Sequence, residues 1–335
     1  MRRGTDFGGD EPGGLAVPEA LVEALRGGDG FAILPHRLPD VDALGSAAAL
    51  CRILRASGRR AAVYAVDVPG IYDWALPAEV RGDGEPPVGA VRVAVDTARA
   101  DRVSCPGPVA LCIDHHEDNP GFGRVASWVV PATSCTCLLP AVALALGVAV
   151  DRVIATALYA GLVGDTECFR VNLGPEAFRF AAWLADRGAD CEGTAEAFGR
   201  RSPGFWAYLA AVEGSALTWE GTVPCRVVPI DAGLPERFAL RPYENALLPS
   251  HLLPPRGGVL VVLQGGRDNV RFRLRSRGVD VLPLAHALGG GGHPQAAGVV
   301  LRGVSLHEAL ERLRAAWAEV AARPADRTRG VSPRL

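Results

Sequence analysis

The sequence predicts an α/β protein with two lobes: an N-terminal lobe whose mostly parallel sheet is flanked by helices, and a smaller α+β C-terminal lobe. Three observations support this prediction. The chain has 335 residues, more than the roughly 100–200 residues of one typical domain. Short apolar strands alternate with segments of helical periodicity as far as residue 166, as in parallel sheets. A polar, glycine-rich stretch at 186–204 then precedes a second set of strands.

The N-terminal lobe begins with a helix predicted at 18–27 and continues with strands and helices in alternation. Apolar runs predict strands at 31–35, 59–66, 91–97 and 109–116, and helical spacing of apolar residues predicts helices at 43–57, 133–147 and 152–166. Three of these strands end in Asp or His. Because ligands of open parallel sheets bind beyond the carboxyl ends of the strands, we expect the chemistry of the protein at that edge.

The C-terminal lobe is predicted from a helix at 205–217, strands at 223–231, 258–266 and 269–278, and a long helix at 304–322. The domain junction is expected near 190–210, where the sequence is polar and rich in Gly. We therefore divide the chain into a disordered N-terminus at 1–16, a first domain at 17–190, a linker and helix at 191–217, a second domain at 218–322 and a loose tail at 323–335.

Composition excludes several classes of protein. The formal net charge of −2 gives little general attraction for a long polyanion, so long nucleic acid is not an expected partner. No apolar run approaches the roughly 18 residues of a membrane span, and no apolar segment follows the N-terminal Arg pair as in a secretory signal. We therefore expect a cytoplasmic protein without a membrane partner. The eight Cys residues include no CxxC pair, which disfavours disulfides and a thiolate zinc site.

Four polar clusters of the N-terminal lobe carry the candidate metal ligands. They contain His36, Asp40 and Asp42; Asp96; Asp114, His115 and His116; and Asp165. Taken singly, each has an ordinary structural alternative as a helix cap or a polar loop. Together they offer carboxylates and imidazoles from four segments without any Cys, a set that suits Mn²⁺ or Mg²⁺. The number of ligands suffices for two ions, which points to two-metal phosphoryl hydrolysis.

Two features of the C-terminal lobe suggest an anionic ligand. Four successive Gly residues at 289–292 precede His293, and such a run lets backbone N–H groups approach a phosphate closely. Its alternative is a flexible turn. Every second residue from 271 to 277 is Arg, so these four side chains share one face of a strand. Their alternative is a solvated sheet face, although an anion would relieve their mutual repulsion.

These motifs resemble those of the DHH phosphoesterase superfamily and occur in the same order. The matching segments are HRLPDVDALGS at 36–46, VAVDT at 93–97, IDHH at 113–116, GLVGDT at 161–166, RFRLRSRG at 271–278 and GGGGHPQAAG at 289–298. The resemblance covers roughly residues 30–300. It implies a catalytic domain at 17–190, a DHH-associated substrate-binding domain at 218–322, and an active-site cleft between the two lobes.

The resemblance also implies roles for individual residues. One Mn²⁺ would be bound by His36, Asp40 and Asp96, and a second by Asp42, Asp96, His115 and Asp165, with a bridging hydroxide attacking phosphorus. Asp114 would orient a metal-ligating His, and His116 would contact the scissile phosphate. The substrate would further be bound by Arg275, Ser276, Gly290, Gly291, Gly292 and His293.

Within the superfamily, the two-lobe form resembles the nano-RNase and pAp-phosphatase group, which hydrolyses short oligonucleotides and 3′-phosphoadenosine 5′-phosphate (pAp). One departure is Leu138, which stands where many members of the group carry an acid. Three alternatives therefore stay open: a cyclic- or linear-dinucleotide phosphodiesterase, a polyphosphatase, and a catalytically silent nucleotide-binding protein. Two further questions stay open: whether the ions are Mg²⁺ instead of Mn²⁺, and whether the protein forms a homodimer.

Overall fold

The computed structural model describes residues 15–241, 244–252, 254 and 256–321, apart from the side chains at 246, 293 and 321. The chain forms two compact units, the first ending at Arg200 and the second beginning at Arg201. The predicted loose segments at 1–16 and 323–335 lie outside the described residues, except for Leu15 and Ala16.

The first unit is built on a sheet of five parallel strands in the order β2-β1-β3-β4-β5. The strands are β1 (Gly30–Leu34), β2 (Arg60–Val63), β3 (Val91–Val95), β4 (Leu111–Asp114) and β5 (Ala126–Val129). The predicted parallel sheet is confirmed, and β5 is a fifth strand that the sequence pattern did not predict. Since β1, β3 and β4 are neighbours, the polar residues that follow them lie along one edge of the sheet.

Six α-helices flank this sheet among the described residues. They are α1 (Glu19–Gly27), α2 (Val41–Ala56), α3 (Leu139–Ala145), α4 (Arg152–Asp165), α5 (Pro175–Asp186) and α6 (Cys191–Gly199). The helix predicted at 133–147 is instead a 3₁₀ turn, Cys135–Leu138, followed by α3. Pro140 explains the break, because proline fits only the first turn of an α-helix.

Two helices of the first unit were not predicted. In α5, Ala177, Phe180 and Leu184 are buried at helical spacing. The polar stretch expected to form only a junction contains α6, whose N-cap Asp190 accepts a hydrogen bond from the Gly193 N–H at 3.0 Å. Helix α6 packs against α4 and belongs to the first unit.

The second unit holds a mixed six-stranded sheet in the order β10-β11-β9-β8-β7-β6. Its strands are β6 (Leu217–Trp219), β7 (Cys225–Ile230), β8 (Val259–Gly265), β9 (Asn269–Ser276), β10 (Gly291–His293) and β11 (Ala296–Arg302). Its helices are α7 (Pro203–Gly214), α8 (Leu234–Arg237), α9 (Leu248–His251), α10 (Leu282–Ala287) and α11 (Leu306–Ala321). The predicted α+β class of this lobe is confirmed. No helix in the described part of the chain is both long and apolar enough to cross a membrane.

Two apolar cores stabilise this second sheet, one on each face. Phe272 and Leu274 of β9 pack with Leu284 of α10 and Leu313 of α11 on one face. On the other face, residues of β7 and β8 pack with Tyr208 of α7. The arginines of β9 alternate with its core residues and therefore lie on the face of Tyr208.

Helices α2 and α4 of the first unit approach so closely that glycine is required at their contact. A Cβ atom at Gly45 would lie 2.6 Å from the Ala157 carbonyl oxygen, and one at Gly164 would lie 2.9 Å from Val41 Cβ. A Cβ at Gly161 would collide with the side chains of Asp42 and Thr136. This contact brings Asp42, in the first turn of α2, next to the C-terminal turn of α4.

We predict that Gly161→Ala lowers the free energy of unfolding by roughly 1–3 kcal/mol, because the added methyl group overpacks this contact. Urea unfolding monitored by circular dichroism measures the change. Gly199→Ala is the matched control, since a Cβ at the end of α6 meets no atom within 4 Å. Equal stability of the two variants would contradict the close-contact interpretation.

Candidate metal centre

All the predicted ligands of the N-terminal lobe come together at the carboxyl edge of the parallel sheet. His36 follows β1, Asp96 follows β3, and Asp114 ends β4. A cavity of about 390 Å³ lies there. It is lined by His36, Asp40, Asp96, Thr97, Ala98, Arg102, His115, His116, Asp165 and Asn172.

The candidate ligand atoms form groups whose members all lie within 4.8 Å of one another. The groups are His36, Asp40 and Asp96; Asp42, His115 and Asp165; and Asp96 with Asp114, His115 and His116. The first group has the members of one ligand set that the family resemblance implied, and the second has three members of the other set but lacks Asp96. Asp96 Oδ1 lies 3.2 Å from Nε2 of His115, so the two groups are contiguous.

Asp96 occupies the most constrained position of the site. Its φ of 50° is left-handed, a conformation that Asp tolerates better than most residues and that recurs at functional sites. Its backbone N–H donates to the Ile113 carbonyl at 3.0 Å, which ties the turn after β3 to β4. Its side chain is buried, yet Oδ1 has no hydrogen-bond partner among the described residues. A cation would satisfy this buried oxygen.

Asp40 and Asp42 serve the same site from the start of α2 in different ways. Asp40 is the N-cap of the helix and accepts a hydrogen bond from the Ala43 N–H at 3.1 Å. It therefore caps the helix, as its structural alternative stated, in addition to lining the cavity. Asp42 is fully buried and accepts from the backbone N–H of Cys135 at 2.6 Å and of Thr136 at 3.3 Å. These donors fix its carboxylate opposite the end of α4.

The ring of His115 is oriented by a backbone carbonyl. Its Nδ1 lies 3.1 Å from the Ala132 oxygen, so Nδ1 carries the proton that is donated there. Nε2 is therefore the nitrogen left for a metal ion, and it faces three carboxylates: Asp96, Asp165 at 3.4 Å and Asp42 at 3.8 Å. Metal-ligating histidines are typically held in this way.

Asp114 orients the ring of His116 rather than that of the expected metal ligand. Its Oδ1 accepts from His116 Nδ1 at 2.8 Å and from the His115 backbone N–H at 2.9 Å. Its Oδ2 accepts from the Asn119 side-chain amide at 2.6 Å, and the same amide donates to the Thr97 carbonyl at 3.1 Å. Asn119 therefore joins the loops that follow β3 and β4. The sequence analysis did not select it, because Asn is common in any polar loop.

Three polar residues that line the cavity were also not selected from the sequence. Thr97 follows Asp96 directly, and Arg102 brings a positive charge to the cavity. The Asn172 side-chain amide donates to the Asp165 carbonyl at 3.1 Å. None of them carries a sequence signal that separates it from ordinary loop residues.

The electrostatics of the cluster suit a cation. Burial and the nearby Asp96 raise the pKa of Asp42 to about 7. Burial together with Asp42 and Asp96 raises the pKa of Asp165 well above its ordinary value. Burial lowers the pKa of His115, but Asp96, Asp42 and Asp165 outweigh it and raise that pKa to about 11. In the chain alone these groups must share protons, and divalent cations can replace those protons.

The donor atoms of the cluster are carboxylate oxygens and imidazole nitrogens, which fit Mn²⁺ or Mg²⁺. Cys135 contributes only its backbone N–H to Asp42, while its Sγ lies 3.5 Å from the Ile113 carbonyl. The candidate ligand groups in the described part of the chain are made of Asp and His residues.

The predicted substrate residues of the C-terminal lobe lie on the sheet of the second unit, except Gly290, which directly precedes β10. Arg275 and Ser276 end β9, but their side chains are on opposite faces. The Ser276 hydroxyl is buried and donates to the Val279 carbonyl. Backbone contacts require glycine at 290 and 292, since a Cβ would collide with Val299 and Ala297 respectively. His293 pairs with Ala296 in the β10–β11 hairpin.

Comparison with known proteins identifies the family. Residues 30–162 match the N-terminal domain of the DHH family, and residues 254–322 match the DHHA1 domain. The bifunctional oligoribonuclease and PAP phosphatase NrnA of Thermus thermophilus is 32% identical over 308 residues, which cover 88% of this chain and 91% of that enzyme. The chain belongs to the DHH family. This DHH protein is a hydrolase acting on phosphoester bonds, as the resemblance implied.

Other DHH proteins are more distant. NrnA of Bacillus subtilis is 26% identical over 83% of this chain and 91% of its own length. The cyclic-di-AMP phosphodiesterase GdpP of Geobacillus thermodenitrificans is also 26% identical, but only 49% of its length is covered. The crystal structure of an exopolyphosphatase-related protein from Bacteroides fragilis has a TM-score of 0.75 at 18% identity, covering 90% of this chain and 95% of that one. This last likeness confirms the fold.

We predict that Asn119→Ala reduces turnover roughly ten- to hundredfold, because Asp114 would lose the partner that fixes its second oxygen. The buried unpaired oxygen should also lower the free energy of unfolding by about 1–3 kcal/mol. Steady-state kinetics and urea unfolding measure the two effects.

Asp118→Ala serves as the control, because Asp118 is exposed in the same loop. If both variants had wild-type turnover, Asn119 would have no positioning role.

Proposed function

We propose that this DHH protein is a Mn²⁺-dependent phosphoesterase that hydrolyses short oligonucleotides, pAp or both with the help of two ions. The observation that carries the proposal is the meeting of two ligand groups at Asp96, in one cavity that His116 also lines. One ion would be held by His36, Asp40 and Asp96. The other would be held by Asp42, Asp96, His115 and Asp165.

The bound ions supply two effects: they lower the pKa of coordinated water and neutralise charge that develops on the phosphoryl oxygens. The protein fixes their positions through the Ala132 carbonyl on His115 and the N–H groups of Cys135 and Thr136 on Asp42. These contacts lie within the protein itself, and preorganised ligand groups of this kind limit the reorganisation that accompanies a reaction.

His116 is the residue best placed to contact the scissile phosphate. Its Nδ1–H is engaged by Asp114, which leaves Nε2 as the nitrogen available to a substrate in the cavity. Its side chain is 42% exposed, whereas that of His115 is 13% exposed. This difference supports a substrate contact for His116 and a metal contact for His115. Arg102 would add a guanidinium that can pair with a phosphate oxygen.

The donor set favours Mn²⁺ over Mg²⁺. Mg²⁺ is usually bound by oxygen ligands and keeps several waters, whereas His36 and His115 each offer an imidazole nitrogen. Mn²⁺ accepts the same carboxylates. It also belongs to the Irving–Williams series of divalent metals, whose later members bind imidazole, and it therefore tolerates these nitrogens better than Mg²⁺ does.

The choice of substrate rests on the relatives. NrnA proteins, named for oligoribonuclease and PAP phosphatase activity, match almost the whole of this chain and of their own length. A second candidate is hydrolysis of a cyclic or linear dinucleotide, which the similarity to GdpP favours. GdpP matches over only about half of its length, so we rank this candidate below the first.

We predict that Asp96→Asn abolishes hydrolysis of a chromogenic phosphodiester such as bis-p-nitrophenyl phosphate and lowers the amount of bound Mn²⁺. Asn keeps the left-handed turn but removes the charge shared by both ligand groups. Turnover, metal content and circular dichroism together test this expectation. Asp101→Asn, on an exposed residue paired with Arg99, is the control. A folded Asp96→Asn protein with near-normal turnover would refute the metal assignment.

We predict that chelation inactivates the enzyme and that Mn²⁺ restores more activity than Mg²⁺ or Ca²⁺. Restored enzyme should hydrolyse pAp and di- to pentanucleotides faster than cyclic-di-AMP, polyphosphate or a long single strand. Product analysis by chromatography measures each rate. Preference for cyclic-di-AMP would replace the first candidate by the second. Full activity in metal-free protein would contradict the metal-dependent mechanism.

A further inference from the structure

The segment that follows α4 returns the chain to the metal centre by an unusual backbone path. Glu167, Cys168 and Phe169 are consecutive residues with left-handed φ angles of 46°, 57° and 61°, and Asn172 has a φ of 53°. Left-handed backbone is unfavourable for residues that carry a Cβ atom, and successive residues rarely adopt it. Such backbone persists where the surrounding structure holds it, most often at functional sites.

Contacts within the first unit hold this segment in place. The Thr166 hydroxyl donates to the Leu162 carbonyl at 2.6 Å and accepts from the Phe169 N–H at 3.1 Å. The Phe169 ring is stacked on Phe178 of α5 and lies near Tyr159 of α4, with centroid distances of 5.8 and 6.2 Å. The unusual path is therefore fixed by hydrogen bonds and by aromatic packing.

This path places the side chain of Asn172 at the metal centre. Asn172 lines the cavity together with the predicted ligand Asp165. Its amide nitrogen donates to the Asp165 backbone carbonyl at 3.1 Å. Since Asn tolerates left-handed backbone better than most residues, one explanation is purely structural: the amide satisfies a carbonyl at the C-terminus of α4.

The structural explanation gives no role to the other end of the amide. Among the described residues, the side-chain oxygen of Asn172 accepts no hydrogen bond. The residue is exposed, so a ligand in the cavity can reach it. The carboxylates of Asp96 and Asp165 in the same cavity are predicted to bind ions, whereas an uncharged amide oxygen accepts from hydrogen-bond donors.

The other polar groups of the cavity limit what this donor can be. Phosphate oxygens are acceptors, and Arg102 and His116 already offer donors to them. The Thr97 hydroxyl donates to the Val95 carbonyl at 2.9 Å, so its proton is engaged. In an RNA strand or in pAp, the donor closest to a 3′-phosphate is the ribose 2′-hydroxyl, on the neighbouring carbon of the sugar. This hydroxyl is the substrate group that an amide oxygen at the cavity complements.

We propose that Asn172 determines specificity for ribonucleotides by accepting a hydrogen bond from the 2′-hydroxyl beside the scissile phosphate. The inference rests on the proposed function for the class of substrate and adds the residue that distinguishes ribose from deoxyribose. The 2′-hydroxyl is the group by which proteins distinguish RNA from DNA at a given position. A substrate without it would cover the amide oxygen and leave it unpaired, which disfavours that substrate.

The test compares two 5′-phosphorylated dinucleotides, pApA and pdApA, which differ only in the 2′-hydroxyl beside the scissile phosphate. With Mn²⁺, the full chain should have a roughly two- to tenfold higher kcat/KM for pApA, the range expected of one hydrogen bond. Asn172→Gly removes the acceptor at a φ that glycine adopts readily, and it should bring the ratio close to one. A merely structural role would slow both substrates equally and leave the ratio unchanged.

Matched controls accompany this comparison. Leu173→Ala should keep the wild-type ratio, because Leu173 is the next residue, is exposed and lies outside the cavity lining. The substrate pApdA lacks only the remote 2′-hydroxyl and should be hydrolysed like pApA. Replacing both adenines by uracil removes the exocyclic amines and should preserve the preference for ribose. A preference that follows the base instead of the sugar would overturn the proposal.

Equal kcat/KM for pApA and pdApA in the wild type would also overturn it, as would an Asn172→Gly variant that keeps the wild-type ratio. Failure of the proposed function is a separate result. If neither dinucleotide is hydrolysed, calorimetry with Ca²⁺ in place of Mn²⁺ measures the same ratio as a ratio of affinities. A preference for pApA that Asn172→Gly removes, without hydrolysis, would refute the proposed function alone. Hydrolysis of both dinucleotides without a preference would refute this inference alone.

Discussion

The buried carboxylate of Asp42 is the constraint on which the first unit depends. It is fully enclosed where α2 meets α4, and an unpaired charge in that position would strongly destabilise the fold. Backbone N–H groups of Cys135 and Thr136 stabilise it, so the 3₁₀ turn must precede α3 at this point. Gly161 must lack a side chain for the same reason. These neutral donors do not cancel the negative charge of the carboxylate, which a cation can neutralise. The packing of α2 against α4 is thereby linked to the chemistry of the site.

Sequence patterns located the ends of β1, β3 and β4 because a buried parallel strand is a short apolar run that stops at polar residues. They therefore located the ligand clusters too. They did not reveal β5, whose four residues include a Ser in the middle, or α6, which buries little apolar surface. They overlooked α5 although Ala177, Phe180 and Leu184 carry the helical spacing. Pro140 was the available signal that the helix predicted at 133–147 begins later.

Hydrogen-bond partners of the two neighbouring histidines could not be read from the sequence. His115 and His116 are adjacent, yet one ring is held by the Ala132 carbonyl and the other by Asp114. Which ring faces the carboxylates depends on the path of the chain after β5, not on residue type. Arg275 and Ser276 are a different case, since their adjacency on a strand is enough to place their side chains on opposite faces of the second sheet.

The order of the ligands along the chain has a consequence for synthesis. The group of His36, Asp40 and Asp96 comes from β1, α2 and β3, and β1 pairs directly with β3. Its donors are complete as soon as Asp96 has left the ribosome. The group of Asp42, His115 and Asp165 needs the end of α4, so its closure waits for a much longer loop. A nascent chain therefore gathers the donors of the first group before those of the second, and a chain cut before α4 lacks Asp165 of the second group.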